Sequence, residues 1–282
     1  VTVSGSTSAD GNYTTLTVAG GAFEAINATA QTGNNIVITI TGNSTSETGA
    51  VVLNAGAWST LTIYPTGSGY TISGSAAKPL IDLNGADNVT IDGRVNATGS
   101  SIDLTITNTS TSSTAGTSTI RFINDAKSNV VKYCTLKGSS TATTGGIVLF
   151  STALSGTVGN DNDTISNNNI TADAAGRPVN AIYTAGTSGK LNSDNTIRNN
   201  NIYDFLKHGT ASYGVHIGSN STAWTFSGNN FYETGSFVPT ASVDYYAIRI
   251  NNGSGTGFTV TGNNIGGSSA SCAGTWTKTN AF

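Results

Sequence analysis

Short runs in which apolar and polar side chains alternate recur along the chain, among them Thr164-Ile165-Ser166, Thr196-Ile197-Arg198, Thr225-Phe226-Ser227 and Thr259-Val260-Thr261. A period of two puts Ile165, Ile197, Phe226 and Val260 on one face of a strand and Ser166, Arg198, Ser227 and Thr261 on the other. Helical spacing shows between Ala19 and Ala30, where Ala22, Phe23, Ala25, Ile26 and Ala30 can share one face. The strands Ile36–Ile40, Val51–Leu53 and Leu61–Tyr64 follow it.

The runs belong to a repeat. Asn162–Ile170 returns as Asn195–Ile202, Trp224–Phe231 and Phe258–Ile265, with weaker copies at Asn129–Leu136 and Asn88–Gly93. Ile170, Ile202, Phe231 and Ile265 are spaced 32, 29 and 34 residues apart. Between the copies lies a second recurring strand: Ser118–Phe122, Gly146–Leu149, Asn180–Tyr183, Tyr213–His216 and Tyr246–Arg249. Units of this length, each with at least two strands and irregular links, predict stacked coils that close one continuous core. A propeller would need tight antiparallel hairpins, and helical repeats would need a 3.6-residue pattern. Asn168, Asn200, Asn229 and Asn263 occupy one repeat position, with Cys134 at the same place in a weaker copy. Coils stack ~4.8 Å apart, so these amides are expected to bond up a ladder and to accept left-handed backbone angles. Cys134 reads as a buried ladder residue rather than a reactive thiol.

Composition agrees. Gly, Ser, Thr and Asn exceed half of the 282 residues, which suits short strands and tight corners. Charged residues are 10% and the formal net charge is −3, so a nucleic-acid groove is not expected. No apolar run is long enough to span a bilayer. Cys134 and Cys272 are too few for a cysteine metal site; a disulfide between them and two free thiols both remain open. Sequons such as Asn12, Asn43 and Asn96 are no more than this composition produces by chance.

The Asn-Asn-Asn-Ile copies resemble the parallel β-helix repeats of the pectin-lyase-like superfamily. The Thr/Asn-rich style, with Asn88–Arg94 and the Asn263–Gly267 corner, is similar to β-helices in large secreted surface proteins of Bacteroidota. The resemblance covers about residues 80–267 and implies a right-handed parallel β-helix in one continuous domain. Residues 1–80 are expected to form the N-terminal cap and first coils, with the helix as cap, and residues 81–282 the remaining coils. The absence of methionine marks the chain as a processed product or an excerpt, and the capping helix suggests an N-terminus close to the natural one. No cap is evident after Gly267, and Asn280–Phe282 reads as the start of a further coil. The rest of a larger polypeptide, or end-to-end copies, is the expected neighbour there.

Aligned repeats place Asp204 and Glu233 at equivalent positions in adjacent coils, each after a tyrosine. Two carboxylates one coil apart could share a proton or Ca²⁺. Lys207 and His208 follow, with Asp244 and Arg249 one loop further. The competing reading is solvated loop charges, because no Asp-Asp pair of polygalacturonase type exists and the 15 acids are scattered. Asp161 and Asp163 form a weaker Ca²⁺ candidate. His216 is expected outward or hydrogen-bonded, and no cofactor is required. Tyr203, Trp224, Tyr232 and Tyr245 could form a sugar-stacking strip, with packing around the loops the favoured reading of them.

The expected function is a non-enzymatic extracellular scaffold or adhesin module of a bacterial cell surface, binding a polysaccharide, surface glycan or partner through loops such as 185–194 and 234–244. The alternative is a polysaccharide lyase or glycoside hydrolase of β-helix type. A third reading, ice binding, would use outward Thr39, Thr62, Thr90 and Thr105.

Overall fold

The computed structural model describes residues 1–151 and 155–279. Its chain winds as a parallel β-helix through three long sheets. The first sheet contains Asn35–Ile40, Thr60–Pro65, Val89–Asp92, Val130–Lys132, Thr164–Ser166, Thr196–Arg198, Thr225–Ser227 and Thr259–Thr261, in that order. The second runs from Ser44–Glu47 through Tyr70–Gly74, Leu104–Asn108, Cys134–Gly138, Asn169–Ala172, Asn201–Tyr203 and Asn230–Tyr232 to Asn264–Ile265. The third runs from Leu53–Asn54 through Pro79–Asn84, Ser118–Ile123, Gly146–Phe150, Asn180–Thr184 and Ser212–Ile217 to Tyr245–Ile250. Neighbours in these series pair in parallel, so each coil hands its register to the next. Asn280–Phe282, read above as the start of another coil, lies outside the described residues.

The Asn-bearing segment, which reads as one strand in sequence, is two strands of different sheets separated by a corner. The left-handed residue at that corner is not the repeated ladder asparagine but the one before it: Asn167 (φ 58°), Asn199 (φ 54°), Gly228 (φ 66°) and Gly262 (φ 61°). Asn and Gly tolerate that region best, which is why they alternate there. Placing the turn on the preceding residue lets the next side chain point inward.

Asn168, Asn200 and Asn229 are buried, and each amide works in two directions. Asn200 Nδ2 donates to Ile165 O (2.9 Å) and Asn229 Oδ1 (3.0 Å), and Asn200 Oδ1 accepts from Asn168 N (3.0 Å). Asn229 repeats this toward Ile197 O and Asn263 Oδ1. Cys134 ends the ladder: its backbone N–H donates to Asn168 Oδ1 (2.9 Å) while its thiol lies buried, and burial pushes that thiol far above its usual range. Cys272 is exposed, and both cysteines are free. Buried corner N–H and C=O groups that no strand can pair are thereby satisfied.

The core between the sheets is a continuous apolar column. Ile165, Ile197 and Phe226 are fully buried in register, as are Ile170, Ile202 and Phe231. Phe122 and Phe150 stack with centroids 4.5 Å apart, and Trp224 meets Phe150 edge-on at 4.8 Å. Each such side chain contributes roughly 1.5–3 kcal/mol. At the N-terminal end the helix is shorter than its pattern suggested, Ala22–Asn27. It buries Ala22, Phe23 and Ile26 beside Leu53–Asn54, the first strand of the third sheet. Thr2–Ser4 lies antiparallel on Asn35–Ile40, and Gly11–Asn12 pairs antiparallel with it at the edge of the first sheet. The buried Glu47 carboxylate accepts from Leu16 N (2.8 Å), Thr17 N (2.7 Å) and Thr17 Oγ1 (2.6 Å), fixing the loop that enters the helix. At the other end Ile250, Val260 and Ile265 are exposed.

The ladder makes a prediction. Asn200→Ala leaves Ile165 O and Asn168 N buried without partners, and should lower unfolding free energy by about 2–4 kcal/mol. Asn201→Ala, one residue along and facing outward, should cost no more than ~1 kcal/mol. Urea titration of both variants checks the difference.

Candidate functional site

The links that carry the chain from the second sheet to the third, around 173–179, 206–211 and 233–244, lie on successive coils. The first two enclose an open cleft of about 620 Å³ lined by Asp173, Arg177, Asp204, Lys207 and His208 among others. Arg177 is the organising group, and sequence reasoning did not single it out. It ion-pairs with Asp204 Oδ1 at 3.4 Å and, in a closer contact, with Glu233 Oε2. One guanidinium thus ties its own coil to the next two.

Asp204 and Glu233 do occupy equivalent positions, since Tyr203 pairs with Tyr232. Their environments are unlike. Asp204 adopts φ 52° and stays partly exposed. Its two oxygens accept from Thr234 N (3.0 Å) and Thr234 Oγ1 (2.7 Å). Glu233 is fully buried, and its Oε1 accepts from Leu206 N at 3.1 Å. Burial pushes its carboxyl up to about 7, against the opposing pull of Arg177. It lies behind Arg177 and is not part of the cleft lining, so the two acids do not face a shared ligand.

Lys207 Nζ donates to Arg177 O at 3.1 Å. His208 is exposed, its ring stacked on Phe237 with Nδ1 2.6 Å from Val238 O. Asp244 and Arg249 are placed elsewhere. Asp244 accepts from Tyr246 OH (3.1 Å), and Arg249 donates to Tyr213 OH (2.8 Å) while lying over the Tyr213 and Tyr246 rings. His216 is wedged between the Tyr183 and Tyr213 rings, with Nδ1 buried and unpartnered. Burial, then Arg249, lowers it to about 4, so it is neutral across the physiological range.

Other expectations need correction. Trp224 cannot stack on a sugar. It replaces an asparagine of the repeat and is fully buried against Phe150, with Nε1 donating to Asn192 O at 2.9 Å. Tyr203 and Tyr232 stack on each other at 5.0 Å with planes 8° apart, which covers the ring faces between them. Tyr232 is also nearly buried, while Tyr245 is half-buried and its hydroxyl donates to His208 O. Asp161 and Asp163 do not form an open cation loop: Asp161 accepts from Ser193 N and Oγ, and Asp163 is fully buried. No cluster of three or more metal-ligating side chains occurs among the described residues. Nor do the four threonines share one face. Thr39, Thr62 and Thr90 lie on the first sheet, where Thr62 pairs with Thr90 and Thr39 is offset to pair with Tyr64, whereas Thr105 is on the second sheet.

Comparison with protein-family models, with curated proteins and with solved structures gives no match to this chain. No helix among the described residues is long and apolar enough to cross a membrane.

The buried ion pair predicts a pH signature. Glu233 has a folded-state value above its ordinary one, so its neutral form contributes fully below the ordinary range, and that contribution is lost as pH rises through about 7. Glu233→Gln should therefore gain on the wild type by about 1–3 kcal/mol between about pH 5 and pH 8 in denaturant titrations. Arg177→Ala, which strands a buried carboxyl, should destabilise by about 3 kcal/mol at pH 8, and the added Glu233→Gln change should restore part of the loss.

Proposed function

We propose that this chain is a non-catalytic scaffold module of an extracellular, bacterial cell-surface protein, whose rigid coil stack holds loops against a glycan or protein partner. The observation that carries this reading is that the cleft's charges are consumed in coil-to-coil ties. Arg177 is shared by Asp204 and Glu233, Asp204 is filled by Thr234, and Lys207 binds a backbone carbonyl. A catalytic acid and base must reach a reacting atom, and these groups instead fix the loops that carry them. Such loops on a rigid frame are the usual place for recognition.

The third sheet offers a second concavity of about 340 Å³, lined by Arg121, Leu149, Tyr183 and Ala185 among others. Arg121 is held in a two-point ion pair with the buried Asp82 (3.0 and 2.6 Å), so it too presents a fixed surface. The exposed Ile250, Val260 and Ile265 of the last coil suit continued β-stacking, by further coils or by another copy.

A panel of surface and plant polysaccharides, assayed for both binding and product release, separates scaffold from enzyme. The scaffold reading predicts binding without turnover, lost when residues 234–244 are replaced by a short Gly-Ser link and kept in Asp204→Asn. Release of oligosaccharides that Asp204→Asn and Glu233→Gln abolish would establish the lyase or hydrolase alternative instead.

A further inference from the structure

A second inward ladder runs beside the first, where the chain enters the first sheet. Val89 N donates to Asn129 Oδ1, Asn129 N to Asp163 Oδ1 and Asp163 N to Asn195 Oδ1, each at 2.8 Å. All three side chains are fully buried. The asparagine rungs make one more bond. Asn129 Nδ2 donates to Ala86 O (3.0 Å) and Asn195 Nδ2 to Asn160 O (2.9 Å). Each of those carbonyls lies three residues before the rung position of the preceding coil: Ala86 before Val89, Asn160 before Asp163. The same step from Asp163 leads to the carbonyl of Ala126, three residues before Asn129. There Asp163 has an oxygen where its neighbours have an NH₂, and that Oδ2 is buried without a partner.

An ionised carboxylate would set a charged oxygen against a carbonyl oxygen in the core, unscreened by water. A proton on Oδ2 converts the clash into the bond its asparagine neighbours make. We propose that Asp163 is held as a neutral acid whose Oδ2–H donates to the Ala126 carbonyl, making this rung a proton-dependent tie between coils.

The surroundings favour the neutral form. Burial drives the Asp163 carboxyl well above its ordinary value, the bonds from Asn129 oppose this, and Asp161 and Asp87 push it further up. Asp161 lies on the same segment, Asp87 two coils before and the exposed Asp194 one coil after. Lys127 is the basic residue of the preceding coil nearest in sequence; its backbone N–H donates to Asp87 Oδ1 (2.8 Å) and its charge favours the Asp87 carboxylate. The linkage follows. A raised folded-state value contributes stability that is complete below the ordinary aspartate range and is lost as pH rises through the folded value. The rung therefore tightens in acid and weakens toward alkaline pH.

Thermal unfolding of the full chain and of Asp163→Asn, at about pH 4, 6 and 8, tests this. The variant replaces Oδ2 with a permanent donor. Its melting temperature should match the wild type near pH 4 and exceed it by about 2–4 °C near pH 8. A difference that does not change with pH, or a variant less stable at pH 8, overturns the proposal. Should the variant not fold, the wild type alone decides: its Asp163 carboxyl carbon, followed by NMR, should keep the shift of a protonated acid at neutral pH. A shift typical of a carboxylate by pH 6 overturns the proposal.

Discussion

The need to satisfy buried backbone groups at the corners governs this architecture. A coil that turns sharply between two sheets leaves N–H and C=O groups pointing inward, where neither strand can pair them. The inward asparagines supply one donor pair and one acceptor each, and the register of parallel stacking brings the next asparagine within about 3 Å. Everything else follows from keeping that register. The apolar columns align, aromatic rings stack coil on coil, and outward asparagines form a parallel set of their own, Asn169, Asn201, Asn230 and Asn264.

Charge is used sparingly and to the same end. The ion pairs join residues of different coils or clamp a corner: Arg121 with Asp82, Lys132 with Asp92, Arg177 with Asp204 and Glu233. A residue that looks catalytic in sequence, such as Glu233, is drawn inward because an arginine two coils earlier can meet it there. Around the cleft, Arg177, Asp204 and Lys207 are thereby tied from coil to coil.

Much of the fold was legible because its signal is periodic. The position of Ile170, Ile202, Phe231 and Ile265 and the asparagines two residues before them set both the stacking and the ladder. What escaped was aperiodic or ambiguous. The corner hides inside an apparently continuous segment, because Asn167 and Asn168 differ in backbone conformation but not in identity. The ladder through Asn129, Asp163 and Asn195 was hidden by its acid, which drew attention as a metal ligand. Arg177 escaped because its partners lie 27 and 56 residues away, in loops without a shared motif. For Trp224 the sequence left a sugar-stacking strip and packing both open, and burial beside Phe150 places the indole in the core rather than around the loops.

The central claim is in-register parallel stacking along one axis. Its most direct test is a set of spin-label pairs at the outward positions Thr164, Thr196 and Thr225, each measured against a label at Thr259. Stacked coils predict distances that shorten in equal steps of about 4.8 Å from the first position to the last. Equal distances, or an order that does not follow the sequence, would contradict the account.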